Sequence, residues 1–200
     1  MKVVTLVSGG LDSTVMAVLA KQEGLEQIPI FINYGQRNLE REKAACLVNL
    51  ARHGLPQPKV IDMPGYGTGF PCGLTDEAKH IVKDVFLPGR NLLFLLCAAG
   101  VAQQHNADAM AIGFLDEKLS LFPDQRRDFA DEAGRLLSSI MMKPLQVLTP
   151  LISMSKAEVV SMAAELGVTQ TYSCHKGTAI PCGECVACRE YDAVEGRNGR

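Results

Sequence analysis

No run of about 18 apolar residues occurs in this chain, so the sequence offers no membrane-spanning helix. Basic excess is missing too: Lys and Arg number 20 against 22 Asp and Glu, a formal charge of −2. Gripping nucleic-acid backbone needs clustered positive charge, so nucleic acid is not an expected partner. Neither an internal repeat nor a low-complexity tract is visible. The opening Met1-Lys2-Val3-Val4-Thr5-Leu6-Val7 is apolar but breaks at Ser8-Gly9-Gly10. It is too short for a secretory h-region, lacks a cleavage site, and reads as a first strand. A disulfide framework is also disfavoured. The seven cysteines are an odd number; Cys46, Cys72 and Cys97 are scattered, while Cys174, Cys182, Cys185 and Cys188 cluster. That pattern fits reduced thiols and a cytoplasmic location.

What is present is an ordinary globular composition: 200 residues, 47% hydrophobic and 21% charged. A chain of this length buries about 70% of its unfolded surface without help from disulfides. Short Val/Ile-rich runs alternate with longer helical patterns. Strands are expected at Lys2–Val7, Ile28–Asn33, Lys59–Asp62 and Ala107–Ile112. Helices are expected from Ser13 (capped by Asp12 and Ser13) to about Glu23, Leu39 to about His53, Asn91–His105, Asp124–Ile140 and Ser155–Leu166. Along Asn91–His105 the residues Leu92, Leu95, Leu96 and Ala99 recur at helical spacing. The alternation predicts an α/β fold, a mostly parallel sheet with helices on both faces. Residues 1–170 form the main domain in this reading, and 171–200 a small cysteine-bearing segment. Met63–Pro88, rich in Gly and Pro, is expected to be a long loop, functional or mobile. The tail from Glu195 to Arg200 is expected to fray.

Ser8-Gly9-Gly10-Leu11-Asp12-Ser13-Thr14 joins the first strand to the first helix. Two glycines let the backbone approach a ligand closely. The helix-start amides and the dipole behind them form an anion site; Ser8, Ser13 and Thr14 add hydroxyls. No Gly-Lys-Ser/Thr follows, so this is not a Walker A loop, and no third glycine makes a dinucleotide fingerprint. At the other end, Cys174-x7-Cys182-x2-Cys185-x2-Cys188 supplies four thiolates. Four soft ligands in this compass suit a closed structural zinc site, with an iron–sulfur cluster or a redox pair as rivals. His175, beside the first cysteine, is read as a non-ligand.

The string S-G-G-L-D-S directly after a first strand resembles the PP-loop of the ATP pyrophosphatases, an adenine-nucleotide α-hydrolase-like fold. Further segments resemble the 7-cyano-7-deazaguanine synthases within that group: Asn33-Tyr34-Gly35-Gln36-Arg37, Pro88-Gly89-Arg90-Asn91-Leu92-Leu93-Phe94-Leu95, Phe122-Pro123-Asp124-Gln125-Arg126, Thr149-Pro150-Leu151, Ser155-Lys156-Ala157-Glu158 and the cysteine cluster. The resemblance runs from residue 4 to about residue 189. It implies ATP, magnesium and structural zinc, with cleavage of ATP between the α and β phosphates. A small acid, 7-carboxy-7-deazaguanine, would be adenylated, ammonia would displace AMP, and a second activation would give the nitrile; a homodimer is also implied.

The resemblance gives ATP binding to Ser8, Gly9, Gly10, Leu11, Asp12, Ser13, Thr14, Arg90 and Gly113. It gives the acid to Tyr34, Gln36, Arg37, Asn91 and Phe114, and catalysis to Asp12, Asp124, Arg126 and Lys156. Arg90 and Arg126 offer planar forks for phosphate or carboxylate. Lys156 offers a point charge toward a phosphate. Asp124 is either a cap or part of a magnesium–phosphate network. Where the family usually shows Cys-Glu-Thr-Asp, this chain reads Gly113-Phe114-Leu115-Asp116-Glu117-Lys118. The ring is therefore expected to be held by stacking and backbone hydrogen bonds rather than by a side-chain carboxylate. Two other readings stay open: a paralogue joining the deazaguanine to a protein or peptide amine, and a non-catalytic zinc-bearing tRNA-binding module.

Overall fold

The computed structural model describes residues 1–116, 118 and 120–198, with side chains up to Val194. Five strands form one sheet: β1 (Lys2–Leu6), β2 (Glu26–Asn33), β3 (Lys59–Asp62), β4 (Ala109–Ala111) and β5 (Gln146–Leu148). Their order is β3-β2-β1-β4-β5, and every pairing is parallel. Successive residues of a strand point to opposite faces, and both faces are covered. Val4, Ile30 and Ile32 pack under α4 (Arg90–His105) and α5 (Arg127–Met141), against Leu95, Ala99 and Leu137. Val3, Phe31 and Ala109 face the other way. They pack under α1 (Leu11–Gln22), α2 (Leu39–Arg52) and α6 (Lys156–Glu165), through Val15, Met16, Leu50 and Val159. The expected α/β architecture is what the chain forms.

Several boundaries differ from the sequence reading, each for a local reason. Helix α1 begins at Leu11, with Gly10 as its N-cap and no side-chain cap. Asp12 and Ser13 therefore lie within the first turn. Ser13 Oγ instead accepts from the Ser8 amide and donates to the Gly10 carbonyl. The helix expected over Asp124–Ile140 is split. Gln125 Oε1 accepts from the amides of Leu121 and Phe122, closing a separate 3-10 turn at Pro123–Gln125; Arg126 is extended (φ −99°, ψ 165°) before α5 starts. Leu96 faces outward, 43% exposed, because Leu95 and Ala99 already fill the α4 stripe. Strand β5 is only three residues long, too short for a periodic signal.

Met63–Pro88 is a packed excursion rather than a bare loop. It opens with the short helix α3 (Pro64–Gly69) and buries Cys72, Leu74, Ile81 and Leu87. Backbone bonds tie it down, from Gly67 to Tyr34, Arg37 to Leu74 and Gly73 to Asp84. At the C-terminus the chain forms α7 (Val186–Asn198) where a fraying tail is expected from Glu195. Val194 is buried and Tyr191 packs against the core on the α1/α6 side of the sheet, which stabilises the helix against the body. Gly199 and Arg200 lie outside the described residues.

Gly9 is the tightest point of the fold near the loop. Its φ is +82°, and a Cβ there would lie 2.2 Å from the Glu42 carbonyl oxygen and 2.7 Å from the Cys46 amide. Both the left-handed backbone and the contact with α2 oppose a side chain. Gly9→Ala is expected to cost about 3 kcal/mol, or roughly 6–12 °C in Tm for a chain of this size. A thermal melt within about 2 °C of the parent would refute this contact.

Candidate active site

In an open parallel sheet, ligands bind beyond the carboxyl ends of the strands where the strand order reverses. In the order 3-2-1-4-5 that point lies between β1 and β4. A cleft of about 310 Å³ opens there, within the range of ordinary small-molecule sites. Val7, Ser8 and Gly10 from the end of β1 line it, as do Ile112, Gly113 and Phe114 from the end of β4. Gly113 sits close against the loop: a Cβ there would meet the Asp12 carbonyl carbon at 3.2 Å and the Ser13 amide at 3.3 Å, a tight fit that α1 would have to yield to by a few tenths of an ångström.

At the loop end, hydroxyls organise the backbone. Ser8 and Ser13 share a 3.1 Å hydrogen bond, and Thr14 Oγ1 donates to the Gly10 carbonyl at 2.8 Å. Thr14 is buried and supports the loop from behind. Lys156, at the first position of α6, reaches over the first turn of α1. Its Nζ lies 2.9 Å from both oxygens of Asp12 and 3.5 Å from Glu190 Oε2 on α7. The ring of Tyr191 lies 5.0 Å away. Burial alone would lower the Lys156 pKa, but Asp12, Tyr191 and Glu190 outweigh it and hold the ammonium above its ordinary value. The side chain is 8% exposed, against 28% for Asp12 and 35% for Glu190.

The far end is lined by Tyr34, Gln36, Glu42, Arg90, Phe94 and His175. The Arg90 guanidinium lies 5.8 Å from the Tyr34 ring centre and 5.9 Å from that of Phe94, a cation–π arrangement. His175 is pushed down to about 4 by burial and by Arg90, so it is neutral near pH 7. Its buried Nδ1 has no hydrogen-bond partner among the described residues. Glu42 accepts from Asn38 Nδ2 at 2.9 Å and from Gln36 Nε2 at 3.3 Å. Burial nevertheless pushes its carboxyl up to about 7.

A carboxyl raised in the folded state keeps its proton when the unfolded chain has lost it. Its contribution therefore falls as pH rises from about 4.5 to about 7 and is flat above that. Glu42→Gln is expected to remove that slope. The Tm difference, variant minus parent, should be more positive at pH 8 than at pH 5. Equal differences at the two pH values would contradict a raised Glu42.

The four cysteines form a second centre beside the cleft. Their Sγ atoms all lie within 4.8 Å of one another, and Cys182 Sγ is 3.9 Å from Cys188 Sγ. Zinc bound at about 2.3 Å per sulfur in a tetrahedron sets its sulfurs about 3.8 Å apart. The amides of Cys182 and Cys185 point at Cys174 Sγ and Cys182 Sγ, each at 3.4 Å. The donor set thus fits a closed four-thiolate metal site. Its segment is stitched to the loop: the Tyr172 amide donates to the Gly9 carbonyl, and Asn38 Nδ2 donates to the Cys174 carbonyl.

Comparison with known proteins bears on this geometry. The family model "Queuosine biosynthesis protein QueC" matches residues 2–194. The chain belongs to the QueC family. Relatives named 7-cyano-7-deazaguanine synthase include one from a Nitratiruptor species, 34% identical across 94% of this chain and 91% of its own. Another, from Saccharophagus degradans, is 36% identical across 94% and 90%. Among solved structures, NMN synthetase from Francisella tularensis has a TM-score of 0.58 at 15% identity, covering 99% of this chain and 84% of that one. The U34-tRNA thiolase NcsA from Methanococcus maripaludis, with its 4Fe-4S cluster, has a TM-score of 0.57 at 19% identity, covering 99% and 71%. The fold is that of the PP-loop, adenine-nucleotide α-hydrolase-like proteins.

In this QueC-family chain the cleft gathers Ser8, Gly10, Leu11, Asp12, Ser13, Arg90, Gly113 and Lys156, together with Tyr34, Gln36, Asn91 and Phe114. Gly9 and Thr14 stand just behind the loop. Those two and three further candidates fall outside the lining. Arg37 donates to the Gly73 carbonyl at 3.3 Å. Asp124 gives its backbone carbonyl to Asn91 Nδ2 at 2.9 Å. Arg126 is exposed before α5. Sequence reasoning missed Glu42 and Glu190. Glu42 carries no motif beyond being acidic in the first turn of α2. Glu190 lies on a helix that composition alone does not announce.

Proposed function

We propose that this chain is an ATP-dependent carbon–nitrogen ligase that makes 7-cyano-7-deazaguanine from 7-carboxy-7-deazaguanine and ammonia. The single observation that carries the reading is the cleft at the β1/β4 reversal, where the Ser8–Ser13 loop, Asp12 and Lys156 converge, in a chain matched to the QueC family over residues 2–194. The α1 amides and the Gly10 backbone take the pyrophosphate end of ATP. The acid lies toward Tyr34, Gln36, Phe94 and Phe114, with Arg90 at the same end. Holding carboxylate and α-phosphate together supplies much of the rate.

The carboxylate oxygen attacks the α-phosphorus and pyrophosphate leaves. Ammonia attacks the acyl carbon, AMP leaves with that oxygen, and the nitrogen loses one proton, giving the amide. The amide oxygen attacks the α-phosphorus of a second ATP and pyrophosphate leaves again; the nitrogen gives up both its protons as the C–O bond breaks, so AMP departs with the oxygen and the nitrile remains. Lys156 places its positive charge toward the phosphate on which negative charge develops. Magnesium, when bound, neutralises the triphosphate; zinc in the Cys174, Cys182, Cys185 and Cys188 site pins the segment beside the loop.

The test is the mass of the product formed from the acid, ATP and ammonium, with AMP and pyrophosphate measured alongside. A nitrile, one water lighter than the amide, is the expected product. AMP and pyrophosphate released only when a protein or peptide amine is supplied would move the reading to the conjugating paralogue. No AMP under any condition would overturn the ligase.

A further inference from the structure

We infer that Glu190 makes nucleotide binding at this cleft depend on a divalent cation, acting as a surplus carboxylate beside the phosphate loop; this rests on the ATP reading above. The charged side chains lining the cleft are Asp12, Glu42 and Glu190 against Arg90 and Lys156. Burial pushes Glu42, at the far end, up to about 7, so the carboxylates that matter for a triphosphate are those at the loop end.

At the loop end the imbalance is local. Lys156 Nζ is the one ammonium there among the described residues, and Asp12 already holds it through both oxygens at 2.9 Å. Glu190 Oε2, at 3.5 Å, shares the same ammonium. One carboxylate is therefore not neutralised by Lys156. It faces the cleft into which the amides of α1 point, and it repels an uncomplexed triphosphate. A nucleotide carrying a divalent cation meets much less of that repulsion. Glu190 reaches this place because α7 carries it two residues beyond Cys188, so the cysteine site fixes its position.

Glu190→Gln keeps the shape and an oxygen for Lys156 but removes the charge. The probe is the α,β-methylene analogue of ATP, measured by calorimetry with saturating magnesium and in resin-treated buffer without it. A resin rather than a chelator is used so that the cysteine site keeps its metal, and metal content is measured in every sample. The expected result is a gain: without magnesium, E190Q binds about fivefold to tenfold more tightly than the parent. With magnesium the affinity should change by less than about twofold. Asp192→Asn removes the same charge from an exposed position on α7 outside the cleft and should leave both values unchanged.

A structural role cannot produce a gain in affinity. Unchanged or weaker magnesium-free binding by E190Q would overturn the inference, as would an equal gain in D192N. Loss of the cysteine-site metal together with affinity would mark Glu190 as structural and overturn it too. If the parent fails to bind the analogue even with magnesium, the ATP reading itself falls.

Discussion

Lys156→Met is expected to slow ATP-dependent pyrophosphate release by about a hundredfold to a thousandfold while costing only about 1–2 kcal/mol of stability. The first half follows from position. Nζ lies over the first turn of α1, bonded to both oxygens of Asp12, inside the cleft lined by Ser8, Gly10 and Ser13. No other lysine or arginine lines that end of the cleft among the described residues. The second half follows from exposure. Methionine fills the apolar stem, and the partners left behind are 28% and 35% exposed, so water solvates them.

Asp12→Ala reverses the stability balance. It leaves an ammonium only 8% exposed with Glu190 at 3.5 Å as its remaining partner, and removing one member of a buried pair can cost about 3–5 kcal/mol. D12A should therefore melt below K156M although both lose activity. Thermal melts and pyrophosphate release on the same preparations decide the matter. Parental turnover in K156M would remove Lys156 from the reaction, and a K156M less stable than D12A would show that the ion pair is not arranged as described.

Four of the five strands, and the long helices between them, were legible; β1 and β2 stood out because their Val, Ile and Phe serve two buried faces, and two-sided burial leaves near-continuous apolar runs. The phosphate loop was legible because its chemistry is local: two glycines and three hydroxyl residues within seven positions. Where geometry depends on distant contacts, legibility ended. Asp12 and Ser13 read as caps by residue type, yet the Ser8–Ser13 bond drew the hydroxyl away and Gly10 became the N-cap. Met63–Pro88 read as loose because Gly and Pro are turn formers; its order comes from Leu74, Ile81 and Leu87 reaching the body. Glu42 and Glu190 escaped notice because nothing in a charge pattern tells a solvated carboxylate from one facing a cleft. Lys156 and Glu190 are 34 positions apart, and only the packing of α7 beside α6 joins them.

Cys185→Ser is expected to lower bound metal well below about one ion per chain and to lower Tm by about 10 °C or more. Cys185 is fully buried among the sulfurs, and few apolar side chains besides Ile81 and Ala187 pack around them. A segment with so small a core of its own draws its stability from the metal, so binding energy there is folding energy. The damage should not stay local. Tyr172 bonds the Gly9 carbonyl, Asn38 bonds the Cys174 carbonyl, and α7, which carries Cys188, also carries Glu190 to Lys156. Loosening this segment should weaken nucleotide binding along with the fold. Treating the parent with a strong chelator should reproduce both losses, and added zinc should restore them. Elemental analysis and melting of parent and variant give the answer: a metal-free parent with an unchanged C185S melt would refute a structural metal, and iron with visible absorbance would replace zinc by an iron–sulfur cluster at the same four sulfurs.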